Sequence, residues 1–175
     1  MTWLARMILL IALPLISAAN ARDDVKGPSP DVPEAAQLKV FVGKFQLEVS
    51  EPIKAKGVVE GKWVHDGRFV QQSFNLKEEK GAASFTGTNL FTFDPKRKLF
   101  RSWRFFSSGD AIEFTGIWDE AKQTMTWNAP DPNDSGNLRM VGVFDKSGGQ
   151  VWTIFKDDAK GKLETEIRGT HTPLK

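Results

Sequence analysis

Short runs of aromatic and β-branched residues, each about eight to ten residues long, follow one another from Phe41 to Pro173. Each run ends at a polar segment, most of which contain Gly or Pro, and this alternation is typical of antiparallel strands joined by turns. Nine such breaks divide the segment into ten predicted strands. The breaks are Pro52 to Gly57, His65 to Gly67, Glu78 to Gly81, Asp94 to Lys98, Ser107 to Asp110, Asp119 to Lys122, Pro130 to Gly136, Asp145 to Gly149 and Asp157 to Gly161.

The predicted fold is all-β, an antiparallel up-and-down β-barrel of about ten strands. The connections are too short for the crossover helix that a parallel sheet requires, so consecutive strands should pair antiparallel. A meander with one apolar face leaves two exposed edges unless it closes, and closure pairs both edges. A two-sheet sandwich is the structural alternative, with the Pro130 to Gly136 loop as the candidate crossing between sheets.

A short helix is predicted over residues 34 to 41, before the first strand. Leu38, Phe41 and Val42 recur at spacings of three and four residues, which is the spacing of one helical face. Pro33 is acceptable in a first helical turn. Such a helix would be placed to cap one end of the barrel.

Within several strands, polar and apolar residues alternate with the period of two that places one set on each face. Phe85, Gly87, Asn89, Phe91 and Phe93 share a face of the fourth strand, so one amide lies among aromatic residues. The ninth strand is different, because it is apolar on both faces. Its two sets are Val151, Thr153 and Phe155 against Trp152, Ile154 and Lys156.

The first 21 residues have the features of a signal peptide. Arg6 supplies a positive charge, residues 7 to 16 are apolar, and Ala19-Asn20-Ala21 has the pattern of a cleavage site. The apolar run is about half of the roughly 20 residues that a membrane-spanning helix needs, so we expect no span in the mature chain, with an uncleaved membrane anchor as the alternative. We therefore expect export to the periplasm or beyond, a flexible leader over 22 to 33, and a single domain over 34 to 175.

Composition argues against several classes of function. The 24 basic and 22 acidic residues nearly balance, so charge does not favour binding to nucleic acid. The basic run Lys96-Arg97-Lys98 falls in a predicted turn, where it is most simply solvated. The absence of cysteine excludes disulfides, thiolate metal sites and cysteine nucleophiles. The chain has 13 Phe, 6 Trp and no Tyr, so its large apolar residues bring few groups for acid-base chemistry.

The chain also contains an ordered series of short motifs. They are Gly67-Arg68-Phe69-Val70-Gln71-Gln72-Ser73-Phe74, Phe91-Thr92-Phe93-Asp94-Pro95, Ser102-Trp103, Gly116-Ile117-Trp118-Asp119 and Thr124-Met125-Thr126, followed by Asp131-Pro132 ahead of Gly136. Together they resemble a bacterial family of exported domains, the domain of unknown function numbered 1579, over roughly Phe41 to Thr172. The resemblance implies a calycin-like barrel, related in architecture to lipocalins and fatty-acid-binding proteins, and no established activity. Where calycins often begin with Gly-x-Trp, this chain has Gly43-Lys44-Phe45.

Arg101 and Arg104 are the most distinctive candidates for ligand binding. They differ by an odd number of positions, so they point to opposite faces of one strand and one of them shares a face with Phe residues. A guanidinium in an apolar cavity is costly unless it is paired, and it is suited to clamping a carboxylate head group. An outward arginine would instead stack on Trp103 or pair with Glu113 on a neighbouring strand. The sequence does not decide which arginine faces inward.

Amides and aromatic residues complete the predicted site. Gln71, Gln72 and Asn89 lie in strands where they can face the interior, and an inward amide either binds a ligand or satisfies a bulge and a water. Tryptophan packs more often in a core than under a ligand. The predicted ligand-binding residues are Arg101, Trp103, Arg104, Asn89, Gln72, Phe91, Phe114 and Trp127.

The sequence predicts no catalytic residue, no metal site and no cofactor. Metal cages usually need three or four ligands, whereas the chain offers two histidines, His65 and His171, and no cysteine. His171 lies near the end of the last strand, a position that resembles that of the proximal ligand in haem-binding barrels called nitrobindins, whose remaining signature is missing. Glu164 and Glu166 share an ordinary outer strand surface, and the serines lack the Gly-x-Ser-x-Gly elbow.

The leading hypothesis is an exported β-barrel that binds a small hydrophobic or amphipathic molecule in an aromatic-lined cavity. One alternative is a non-enzymatic cell-envelope interaction or structural module with a filled barrel, in which Trp152 and Ile154 face outward. Another is a hydrolase or isomerase in which His171 or an acid with a strongly perturbed pKa meets a second polar group in a cavity. The identity of the ligand and the oligomeric state do not follow from the sequence.

Overall fold

A computed structural model describes residues 27–81, 83–130, 136–157, 160 and 163–175, with the backbone alone for 164 and 165. The strands are β1 Gly43–Glu51, β2 Ala55–Val64, β3 Phe69–Glu78, β4 Ser84–Asp94, β5 Leu99–Phe106, β6 Ala111–Asp119, β7 Thr124–Pro130, β8 Asn137–Phe144, β9 Gln150–Asp157 and β10 Leu163–Pro173. Each strand pairs with its neighbours along the chain, and β1 pairs with β10 to close the barrel. The predicted ten-stranded antiparallel barrel is confirmed, and the sandwich alternative is wrong.

A short helix precedes β1, as predicted, and it is a 3₁₀-helix over Pro33–Phe41. Pro33 suits the first turn because the amide hydrogen that it lacks would have no partner there. The buried residues of the helix are Ala35, Leu38 and Phe41, which are spaced by three. A 3₁₀-helix has three residues per turn, so this spacing places all three side chains in one line against the barrel.

The helix closes one end of the barrel with aromatic contacts. The Phe41 ring stacks on the Phe91 ring with centroids 4.4 Å apart and meets the edge of Phe144 at 5.5 Å. Trp127 is tilted against Phe41 at 6.3 Å and is fully buried. Burying each such side chain contributes roughly 2 to 3 kcal/mol. This end of the interior is therefore filled, and any free space must lie farther from the helix.

Glycines in the middle of strands leave room for large inward side chains on the neighbouring strand. Gly116 pairs with Trp127, and a Cβ at Gly116 would lie 2.4 Å from the Trp127 ring. Gly169 pairs with Trp152, and a Cβ there would lie 2.3 Å from that ring. Atoms in a packed interior do not approach so closely without displacement. The two tryptophans thus occupy the space that a side chain at either glycine would need.

Part of the predicted leader packs on the barrel. The Ser29 N–H donates to the Gly67 carbonyl at 3.0 Å, and Val32 is buried in the larger core cluster. Residues 29 to 32 thus belong to the folded part, although the polar composition of residues 22 to 33 and their three prolines predict a flexible leader. The predicted signal peptide, 1–21, and leader residues 22–26 lie outside the described residues. Within the part of the chain that the structure describes, no helix is both long enough and apolar enough to cross a bilayer.

Replacing Gly116 with alanine should lower the free energy of unfolding by about 2 kcal/mol, because the added methyl group overpacks the core against Trp127. Urea titration measures the loss. Gly27→Ala is the matched control, since a Cβ at Gly27 has no neighbour within 4 Å. In a Trp127→Phe background, which removes the larger ring, the same Gly116→Ala change should cost less. An equal cost in both backgrounds would contradict the steric explanation.

Candidate ligand-binding site

A cavity of about 150 Å³ lies inside the barrel. It begins beyond Phe41, the last residue of the helix, and extends away from the helix. A volume of this size holds about five waters, or an apolar molecule the size of benzene. Apolar side chains form most of the wall; they include Leu47, Val59, Phe74, Leu76, Phe106 and Ile154. The sheet therefore surrounds a largely apolar space that is partly open to solvent, and its interior is not a solid core.

Three of the predicted residues form a polar row on one wall of this cavity. Gln72 on β3 pairs with Asn89 on β4, which pairs with Arg104 on β5. Antiparallel partners at one level share a face, so all three side chains point inward. The Gln72 amide nitrogen donates to the Phe41 carbonyl at 2.9 Å, and the Asn89 amide nitrogen donates to Gln72 Oε1 at 3.5 Å. The row is thereby anchored to the end of the helix.

The opposite wall supplies three residues that the predicted site did not include. His171 on β10 pairs with Gln150 on β9, and barrel closure places it beside Leu47 on β1. Trp152 follows Gln150 by two positions and therefore points the same way. All four residues line the cavity. In the order of strands around the barrel, β9 lies five places from β4. The polar row and these three residues therefore face each other across the interior.

Arg104 is a largely buried charge without an acidic partner among the described residues. Its guanidinium lies 4.8 Å from the Phe114 ring centre, and its Nη2 contacts Met140 Sδ at 3.0 Å. Its Nε atom is shielded from solvent and has no hydrogen-bond partner. No acidic side chain among the described residues forms an ion pair with it. Burial lowers the pKa of Arg104 to about 10, so the guanidinium stays positively charged at neutral pH.

Three other buried atoms, on residues that line the cavity, lack a hydrogen-bond partner. They are Asn89 Oδ1, Gln150 Nε2 and Trp152 Nε1. A buried polar atom without a partner costs about 1 to 3 kcal/mol. Together with Arg104 Nε, the set contains three N–H donors and one acceptor. The cavity is therefore rich in unpaired donors as well as positively charged.

His171 is held in its neutral form. Burial, and then the charge of Arg104, lower the pKa of His171 to about 4. The rings of Phe45 and Trp152 lie 6.0 and 6.3 Å from the imidazole. At neutral pH the imidazole therefore adds a hydrogen-bonding group to the cavity and no charge. His65, by contrast, lies in the exposed turn between β2 and β3, with a φ of 50°.

The described residues contain no group of three or more His, Asp or Glu side chains placed to hold a metal ion. The chemistry that the cavity offers is hydrogen bonding and charge, from one cation, one neutral imidazole, three amides and one indole N–H. These groups can recognise and orient a ligand.

Arg101 and Trp103 lie on the outer face of β5, so they are not part of the cavity. Arg101 Nε donates to Glu113 Oε1 at 2.9 Å, and its guanidinium stacks 4.6 Å from the Trp103 ring centre. Both contacts expected of an outward arginine are thus made by Arg101. Arg104 is the inward arginine, because positions 102 and 104 share the face that packs against Phe residues.

The predicted aromatic residues differ in their distance from the cavity. Phe91 borders it, beneath Phe41. Phe114 is buried under the Arg104 guanidinium, and Trp127 packs behind Phe41 and Phe91. Phe114 and Trp127 therefore support the cavity wall without lining it.

Trp152 and Ile154 face the interior, so the alternative that places them on an outer surface is wrong. Trp152 is 9% exposed, whereas its neighbour Val151 is 61% exposed. The strand pattern could not show this, because both faces of β9 are apolar. The same ambiguity hid Gln150, which shares its face with Trp152. A polar residue among inward-facing apolar ones would have indicated Gln150, but the sequence does not show which face of β9 points inward.

The fold and the cavity define a class of protein, a closed ten-stranded antiparallel barrel with a cluster of polar groups in a largely apolar interior. The chain belongs to the family described as protein of unknown function (DUF1579), whose model matches residues 35–172. This match covers most of the helix and nearly all of the barrel, and it confirms the family that the motifs resemble. A search of curated proteins found no relative that matches the chain.

Lowering the pH from 7 to 4.5 should destabilise the protein through His171. The folded-state pKa of about 4 lies below the ordinary 6.5, so between these values the unfolded chain binds a proton that the folded protein excludes. The resulting stability is present above about pH 6.5 and is lost as the pH falls towards 4, by roughly 2 to 3 kcal/mol.

Urea titrations of wild type and His171→Gln at both pH values measure this effect. The variant should lose less stability on acidification than wild type, because every other titrating group is common to both proteins. His65→Asn, a change in the exposed turn that keeps a residue tolerant of positive φ, serves as the control. If His171→Gln and wild type lost the same stability, the histidine would not be excluded from water as described.

Proposed function

We propose that this protein is an exported binding protein that holds a small hydrophobic or amphipathic molecule inside its barrel. The single observation that carries the proposal is the cavity of about 150 Å³, with its apolar wall and few polar groups. That combination is typical of small-molecule sites. The signal-peptide features of residues 1 to 21 support export, and the resemblance to calycin-like barrels supports a binding role.

Apolar contact alone would give weak binding in so small a cavity. A ligand that buried about 200 Å² of apolar surface would gain roughly 5 kcal/mol. The loss of translational and rotational freedom on binding costs about as much. Measurable affinity therefore depends on the polar groups of the cavity, which favours an amphipathic ligand over a purely apolar one.

Filling the cavity should abolish binding. Ile154→Trp places a larger side chain into the cavity wall, whereas Val151→Trp makes a similar change on the exposed face of the same strand. Native mass spectrometry of protein purified from its own host should detect a bound small molecule in wild type and in Val151→Trp. It should detect none, or much less, in Ile154→Trp.

Nuclear magnetic resonance provides an independent measurement with known probes. Hexanol, hexanoate, benzyl alcohol and benzoate should shift backbone signals of residues around the cavity in Val151→Trp as in wild type, and not in Ile154→Trp. A wild-type protein that carries no small molecule and responds to none of the four probes would refute the binding function.

A further inference from the structure

We propose that the ligand carries a single carboxylate, which binds Arg104 together with Gln150 and Trp152, and that its apolar part points away from the helix. This inference rests on the proposed binding function and adds to it the chemical class of the ligand and its orientation.

The first step is charge. Arg104 lies inside the barrel as a cation, and the described acidic side chains leave it unpaired. A buried charge is strongly unfavourable unless an opposite charge and hydrogen bonds compensate for it. On the same strand, Arg101 has such compensation from Glu113. The contrast indicates that a bound ligand, rather than any of the described residues, supplies the missing anion at Arg104.

The second step is the number of charges. His171 is neutral at neutral pH, so Arg104 is the one cation among the described cavity residues. A dianion would bring an uncompensated negative charge into the barrel, at a cost similar to that of the unpaired arginine. The site therefore matches a monoanion. A guanidinium presents paired N–H groups in a plane, which fits the two oxygens of a carboxylate.

The third step is hydrogen bonding. Three residues that line the cavity, Arg104, Gln150 and Trp152, each carry a buried N–H donor without a partner, against one unpaired acceptor, Asn89 Oδ1. A carboxylate has only acceptors, with about four lone-pair positions, and can satisfy several donors at once. A neutral amide of the same shape brings two donors of its own, so it would satisfy fewer of them.

The fourth step is orientation. The polar row lies next to Phe41, which blocks the helix end of the cavity. Farther from the helix, the next inward residues after Gln72 on β3 and Arg104 on β5 are Phe74 and Phe106. On β9, Ile154 is the next inward residue after Trp152. Polar groups therefore lie deep in the barrel and apolar ones farther from the helix. An amphipathic ligand that matches both regions enters with its carboxylate first.

Pairs of probes with the same shape, one charged and one neutral, test whether the wild-type protein selects a negatively charged ligand. Benzoate is compared with benzamide, and hexanoate with hexanamide, by isothermal titration calorimetry at pH 7. We expect each carboxylate to bind at least about thirtyfold more tightly than its amide, because the amide leaves a buried cation unpaired. This comparison needs no variant and so does not depend on any substitution folding.

Substitutions on β5 test whether Arg104 binds the carboxylate. Arg104→Met should reduce benzoate affinity at least about thirtyfold and leave benzamide affinity almost unchanged. Arg104→Lys keeps the charge but not the planar pair of donors, so an intermediate loss of roughly tenfold is expected. Arg101→Met is the matched control, because it removes an arginine from the outer face of the same strand, and it should leave binding unchanged.

Two further measurements distinguish a ligand-binding arginine from a structural one. Without ligand, Arg104→Met should raise the urea midpoint, since it removes an unpaired buried charge, whereas Arg101→Met should not raise it. The chain has only two histidines, so their ring signals report where a probe binds. Benzoate should shift the His171 signals and leave those of His65 in place.

The outcomes separate this inference from the function on which it rests. If amides bind as tightly as carboxylates, or if Arg101→Met and Arg104→Met weaken benzoate equally, the carboxylate assignment is overturned and the binding function stands. If Arg104→Met lowers the urea midpoint and leaves binding unchanged, Arg104 is structural and the assignment is also overturned. If hexanol, hexanoate, benzyl alcohol and benzoate all fail to bind and the purified protein carries no small molecule, the binding function itself fails.

Discussion

The pairing of β1 with β10 is the constraint on which the rest of this structure depends. It removes the two open edges of the meander and forces every inward side chain into one enclosed volume. That volume is limited, so large inward residues are matched by glycines on the adjacent strand, as Trp127 is by Gly116. Closure also joins the first strand to the last, and this alone brings His171 beside Leu47.

The 3₁₀-helix then divides the enclosed volume unequally. Leu38 and Phe41 complete an aromatic core at one end, and the space left beyond Phe41 contains most of the inward polar groups. An apolar lining of the same shape would be more stable, because unpaired buried donors and an unpaired cation each oppose folding. Local violations of packing and pairing rules of this kind are characteristic of functional sites.

The two arginines of β5 show how far one strand's sequence can be interpreted. Alternation shows that Arg101 and Arg104 face opposite ways, and it limits the inward arginine to one of the two. The register with β4 and β6 decides which arginine faces inward, because it places Glu113 opposite Trp103 and next to Arg101 on the outside, and Asn89 opposite Arg104 on the inside. Gln72 and Asn89 were identifiable from their own strands, since both lie on clearly apolar faces.

The sequence by itself determined the strands and their antiparallel order, because turn residues at regular intervals and alternating faces are local properties of the chain. It favoured a closed barrel over a sandwich, and the pairing of β1 with β10 in the tertiary structure decided between them. It also identified Gln72 and Asn89 as inward candidates and limited the inward arginine to Arg101 or Arg104. Only the tertiary structure decided the orientation of β9, and with it the roles of Gln150 and Trp152. A strand that is apolar on both faces has no intrinsic inward side, so its orientation comes from the strands with which it pairs.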